Sequence, residues 1–159
     1  MKTNSQIGRR RTYAGFTMIE LCIVVTIGLI VMGFAIPIVA TTVSRYRLNG
    51  AVSALTGAIR TTRYQALMKG YRHRLAISPT NRNYQVSQDP EKDGTFTNLG
   101  SAIPFTGAST AIVVSAATTL EFRPNGQVAA TTGDLDFDVT YSGNTKTITV
   151  TTYGNVTVE

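Results

Sequence analysis

The chain has 159 residues and a mass of 17.1 kDa, room for one modest domain plus an appendage. Apolar residues make up 43%, which excludes a chain disordered throughout, and charged residues only 15%, below the ~25% of an average soluble domain. A single cysteine and a single histidine exclude an internal disulfide framework, a cysteine-based zinc site and a multi-histidine metal centre. The net charge of +6 is unevenly spread. Residues 1–15 carry Lys2, Arg9, Arg10 and Arg11 and no acid. Residues 16–40 carry only Glu20, and residues 41–82 are basic without an acid. Residues 83–159 reverse the sign, with Asp89, Glu91, Asp93, Glu121, Asp134, Asp136, Asp138 and Glu159. The order is basic leader, apolar span, basic stem, acidic head. Four of the positive charges fall in a removable leader, so the raw pI of about 9.8 is weak evidence for nucleic-acid binding.

Leu21 to Ala40 is twenty residues without a charge. As a helix this stretch covers ~30 Å, one hydrocarbon thickness. Gly28, Gly33 and Pro37 weaken a helix in water but are tolerated in membrane helices. Arg9–Arg11 precede the span, so the positive-inside rule keeps the N-terminus cytoplasmic and sends the head outward. The small pair Ala14-Gly15 stands before the apolar run, not after it, so cleavage between Gly15 and Phe16 removes the leader and keeps the oily helix. Glu20 is expensive beside an apolar span and needs a positive partner, which the amine freed at Phe16 supplies. Pro37 lacks an amide hydrogen and clashes with the carbonyl of Gly33, which predicts a kink or a melted turn over residues 33–37. Cys22 reads as a small apolar packing residue.

Gly15-Phe16-Thr17-Met18-Ile19-Glu20-Leu21 resembles the class III signal of type IV pilins and type II secretion pseudopilins. Pro37 falls in register with a proline usual in these proteins. The resemblance implies cleavage after Gly15 and N-methylation of Phe16 by a membrane prepilin peptidase. It also implies that Glu20 pins assembly register by pairing with the amine of a neighbouring subunit.

Leu48, Val52, Leu55, Ile59 and Ala66 recur at helical spacing, with Thr62 filling the gap. They extend the helix to about Lys69, with Gly70 as its C-cap. From Arg72 the period changes. His73–Ile77 and Tyr84–Val86 read as strands about a turn at residues 78–83, and residues 87–110 as a loop. Residues 111–114 and 119–123 are β-prone, and Pro124-Asn125-Gly126 is a turn. Leu135, Phe137, Val139 and Tyr141 alternate with polar residues as a strand with one buried face, followed by strands at 146–152 and 156–159. The predicted fold is α+β: a long N-terminal helix, transmembrane in its first half, packed on an antiparallel β-sheet head. The expected divisions are 1–15 cleaved leader, 16–40 transmembrane and assembly helix, 41–70 stem helix and 71–159 periplasmic head.

The head resembles the GspH/FimT branch of pseudopilins in residues 58–66, in Leu120-Glu121-Phe122-Arg123-Pro124-Asn125-Gly126 and in the closing residues 148–156. That resemblance implies a low-abundance structural subunit near a filament tip, inserted in the inner membrane, with prepilin peptidase, other pilins or pseudopilins and membrane lipid as partners. Type II secretion in the manner of GspH is the first reading. A FimT-like minor pilin of a type IV pilus is the alternative.

No active site is legible. Asp89-Pro90-Glu91-Lys92-Asp93-Gly94 echoes a calcium loop but has Gly100 where the closing glutamate belongs, and reads as a solvated turn. Asp136 and Asp138 fall on one exposed strand face, so with Asp134 they read as solvated, a weak calcium site being the minor alternative, and His73 reads as an ordinary loop or strand-edge residue. No cofactor, metal or catalytic residue is expected. For DNA, Arg63, Lys69, Arg72 and Arg74 beside Tyr64 and Tyr71 mix charge with rings in the way that suits strand binding, but basic residues just outside a span more often meet lipid headgroups or acidic neighbours, which is the stronger reading. Some FimT-like proteins bind DNA through a basic C-terminal segment; residues 154–159 here lack arginine and end in Glu159.

Overall fold

The computed structural model describes residues 15–105 and 112–159, without the side chains of residues 34–38. The leader, Arg9–Arg11 included, and part of the expected loop at 87–110 lie outside the described residues. The backbone divides into two compact units, one ending at Val39 and one starting at Ala40.

Helix α1 spans Met18–Lys69. Thr17 starts it as the N-cap, its Oγ1 accepting from the Glu20 amide at 3.3 Å. The spacing Thr17-x-x-Glu20 is that of a capping box, a local helix-start signal. Gly70 ends α1 with φ +72° and donates its amide to the Ala66 carbonyl at 3.1 Å, the left-handed stop that a residue without Cβ adopts cheaply. The melted turn expected over 33–37 is absent. The backbone there is helical, within a helix of 52 residues, so of the two expected forms the melted turn is not met.

In the second unit the head is two antiparallel sheets, where a single sheet is the expectation from sequence. The first is built from β1 (Arg72–Ser78), β2 (Asn83–Asp89), β3 (Thr97–Asn98), β4 (Ile103–Pro104), β6 (Thr118–Phe122) and β7 (Val128–Thr132), in the order β3-β2-β1-β6-β7 with β4 also on β2. The second holds β5 (Val113–Val114), β8 (Asp136–Tyr141), β9 (Asn144–Val150) and β10 (Val156–Val158), in the order β10-β9-β8-β5. Strand β7 has no counterpart in the sequence reading, since Val128-Ala129-Ala130-Thr131-Thr132 lacks the large apolar residues that mark a strand. Its place comes from pairing with β6, Leu120 opposite Ala130 and Phe122 opposite Val128. The Val128 amide donates to the Thr152 carbonyl at 2.8 Å and ties the edge of the first sheet to the chain just beyond β9.

The core lies between α1 and the sheets. The stem stripe Leu48, Val52, Leu55, Ile59 and Ala66 is buried in one cluster with Leu75, Ile77, Leu120, Phe122, Phe137, Val139 and Ile148. Each large member contributes ~1.5–3 kcal/mol by leaving water. Thr62 sits within the stripe because its hydroxyl bonds back to the Ala58 carbonyl at 2.7 Å, so no polar group is stranded.

Candidate functional site

The assembly segment is described from Gly15. Gly15 and Phe16 precede the helix, and Phe16 is 82% exposed. Glu20 is exposed in the first turn of α1, where a carboxylate suits the positive end of the helix dipole. Around it Met18, Ile19, Leu21, Ile23, Val24, Val25 and Ile27 are all at least half exposed. Apolar side chains point in every direction from this part of the helix, so no orientation of it is suited to water. Cys22 is a free, exposed thiol and not a packed residue in the isolated chain. Among the described residues no helix is long and apolar enough to cross a membrane. The span expected over 21–40 includes residues 34–38, so the side chain of Pro37 lies outside the described residues.

Of the three arginines read as a DNA candidate, Arg63 lies on α1, and Arg72 and Arg74 on β1 are committed to carboxylates of the head. Arg72 donates from Nε and Nη2 to Asp89 Oδ2 at 3.1 and 2.7 Å, and its Nη1 lies 3.7 Å from Glu121 Oε1. Arg74 donates from Nε and Nη2 to Glu121 Oε2 at 2.9 and 2.8 Å. Both guanidiniums lie over the Phe96 ring, that of Arg74 at 3.7 Å from its centroid. Arg63 is half-buried over the turn at Gly154. Gly154 has φ +76°, and a Cβ there would run into Arg63 Nε and Cδ. Arg72 and Arg74 are internal struts, whereas Arg63 joins no ion pair among the described residues and its buried Nε has no hydrogen-bond partner there. Asp89 is correspondingly not part of a solvated turn. It is fully buried, and besides Arg72 it accepts from the Gly94 amide at 3.2 Å. The sequence carried one missed signal for this: Arg72 and Asp89 stand at opposite ends of a hairpin whose turn centres on residues 80–81, so they face each other across it.

Of the other polar candidates, Asp138 accepts from Thr147 Oγ1 at 2.7 Å and Asp136 lies on the exposed face of β8. Among the described residues no three potential metal ligands gather.

His73 is fully buried on the inward face of β1, not at a strand edge. Its ring stacks on Tyr71 at 4.9 Å. Its Nδ1 lies 3.2 Å from the Tyr71 carbonyl, which only accepts, so the proton of the neutral ring sits on Nδ1 and Nε2 keeps a lone pair without a partner among the described residues. Burial pushes its pKa below the ordinary imidazole value; the Tyr71 carbonyl opposes that shift, and the Lys69 charge adds to it. The unfolded chain therefore takes up a proton before the folded head does. Stability due to this site is present above about pH 6.5, the ordinary imidazole value, and is lost as the pH falls below it. In urea titrations the unfolding midpoint is expected to fall between pH 7 and pH 5. With the sole histidine of the chain replaced, His73→Gln should flatten that slope.

Residues 51–154 match the family model described as type II transport protein GspH. The chain belongs to the GspH family. Residues 10–36 match a second model, the prokaryotic N-terminal methylation motif. No curated protein and no solved structure matches the chain. The GspH region lies wholly within the second unit and holds Arg63, Arg72, Arg74 and both sheets, apart from β10. The methylation motif covers the exposed apolar segment and Glu20. This GspH-family chain is thus a pseudopilin- or pilin-like protein, whose methylation motif implies processing by prepilin peptidase, attachment at the inner membrane and assembly with other pilin-like subunits.

Proposed function

We propose that this protein is a minor pseudopilin of type II secretion: a non-enzymatic structural subunit that joins the tip of a short periplasmic filament. The observation that carries the reading is the bare apolar segment from Phe16 to Met32, which demands lipid or the helices of other subunits around it. In this reading prepilin peptidase cuts between Gly15 and Phe16 and methylates the new amine. The helix first spans the inner membrane once, N-terminus in the cytoplasm and head in the periplasm, and then moves into a filament core. Glu20 pairs with the methylated amine of a neighbour and sets the register. Pro37 softens the helix for that transfer. The match to a type II transport family favours secretion over a type IV pilus.

Intact mass of the membrane-extracted protein tests the maturation. Loss of residues 1–15 with one methyl group on Phe16 is expected, and an uncut N-terminus removes the reading. Glu20→Ala should leave membrane insertion intact while cutting recovery in sheared filaments at least tenfold. Wild-type recovery would end the pinning role.

A further inference from the structure

The first turns of the stem meet the turn between β8 and β9 at a corner rich in cations. A recess of about 210 Å³ opens there, lined by Arg45, Leu48 and Asn49 of α1 and by Asn144, Thr145 and Lys146 at the start of β9. A third cation is held at the same corner: Arg47 donates from Nη1 to the hydroxyl of Tyr141, the residue paired with Asn144, at 3.1 Å. Lys146 is out of keeping with its register. It pairs with Val139, which is fully buried, and shares a face of β9 with the buried Ile148 and Val150. Alternation thus turns a half-buried lysine toward the stem.

No acid lines the recess, and among the described residues neither Arg45 nor Lys146 joins an ion pair. The acids of β8 cannot serve, because Asp136 and Asp138 alternate with the inward Phe137 and Val139 and lie on the other face of the strand. Cations gathered without an acid repel one another. An anion with several acceptor oxygens relieves that repulsion, and guanidinium, ammonium and side-chain amide all donate to it. Position along the helix says which anion is met. Arg45 is the first charged residue after Glu20. The uncharged residues 21–40 suffice to cross the hydrocarbon of a bilayer. The further rise from Ala40 to Arg45 is ~7.5 Å, about the depth of one headgroup layer. Tyr46 is 80% exposed on the same turn, an amphipathic ring of the kind that settles at a membrane interface. A recess of cationic and amide donors at that depth faces the phosphodiesters of lipid headgroups.

We propose that this recess binds the headgroup phosphate of an anionic phospholipid in the periplasmic leaflet, held by Arg45 and Lys146 and by the side-chain amides of Asn49 and Asn144. The inference rests on the membrane attachment argued under the proposed function. It is tested on the full chain in maltoside micelles, whose headgroups carry no phosphate. Dihexanoyl phosphatidylglycerol is the probe, and the side-chain amide signals of Asn49 and Asn144 report. Both signals should shift to saturation, and dihexanoyl phosphatidylcholine, which carries its own cation, should bind about tenfold more weakly. Arg45→Ala with Lys146→Ala should weaken the response about tenfold or more, the scale for two basic residues at an anionic surface. Arg45→Lys with Lys146→Arg keeps both charges and should restore most of the binding, which separates lost charge from a disturbed fold. Arg82→Ala with Arg123→Ala removes the same charge elsewhere and should bind as the wild type does. No shift, equal affinity for the two lipids, or undiminished affinity in the double alanine variant at Arg45 and Lys146 would overturn the proposal. So would tighter saturation by inorganic phosphate or by hexaglutamate. Membrane attachment is scored separately, by retention of the wild type in alkaline-washed membranes. Release there removes the attachment and this proposal together, whereas retention without lipid-induced shifts removes the proposal alone.

Discussion

Arg72→Ala is expected to destabilise the head by about 3 kcal/mol, the scale for stripping a buried charge of its partner. Asp89 is fully buried, and the substitution removes two of the three hydrogen bonds its Oδ2 accepts. Among the described residues its Oδ1 has no hydrogen-bond partner, so little is left to hold the charge. The Arg72 side chain is 35% exposed, which keeps the effect at the lower end of the range for buried pairs. Urea unfolding of the full chain in detergent gives the value. The mechanism makes a sharper claim as well. Arg72→Ala combined with Asp89→Asn should be more stable than Arg72→Ala alone, because the second change discharges the orphaned carboxylate. A double variant no better than the single one would show that lost packing over Phe96, not buried charge, sets the cost.

Leu55→Ala should cost about 3–4 kcal/mol, within the range for deleting a fully buried leucine side chain. Leu55 is 0% exposed in the middle of the stem stripe, among Ile59, Leu75 and Leu120 in the shared core. Leu67 lies three turns further along the same helix and is 43% exposed. Leu67→Ala should cost less than about 1 kcal/mol in the same titration, as expected for a largely exposed site. Equal losses at the two positions would mean that the stem is not held to the head by its apolar stripe. Against a total stability of roughly 5–15 kcal/mol for a domain, either of the two large losses leaves a head that unfolds readily.

The helix stripe was readable because each of its residues obeys one local period, and all five named members are buried. The hairpin of β1 and β2 and the strand at Phe137 and Val139 were readable for the same reason, since alternation within a strand is a local property. Strand β7 was not, because small residues and threonine there carry no alternation of their own. Its partner β6 supplies the reason for its existence. Division into two sheets also lies beyond local reading: Leu75 pairs with Leu120 across 45 positions, and no period records that choice.

Charge behaved in the same way. The sequence by itself determined the bare apolar rod with Glu20 near its start, the helical stem and the basic-to-acidic order of the chain, since each is a property of neighbouring residues. Only the tertiary structure decided which charges are spent. It turned Arg72 and Arg74 inward on Asp89 and Glu121, laid Arg63 over Gly154 and buried His73. Ion pairs and buried donors depend on distances of a few ångströms between residues far apart in the chain, and those distances exist only once the sheets have closed on the stem.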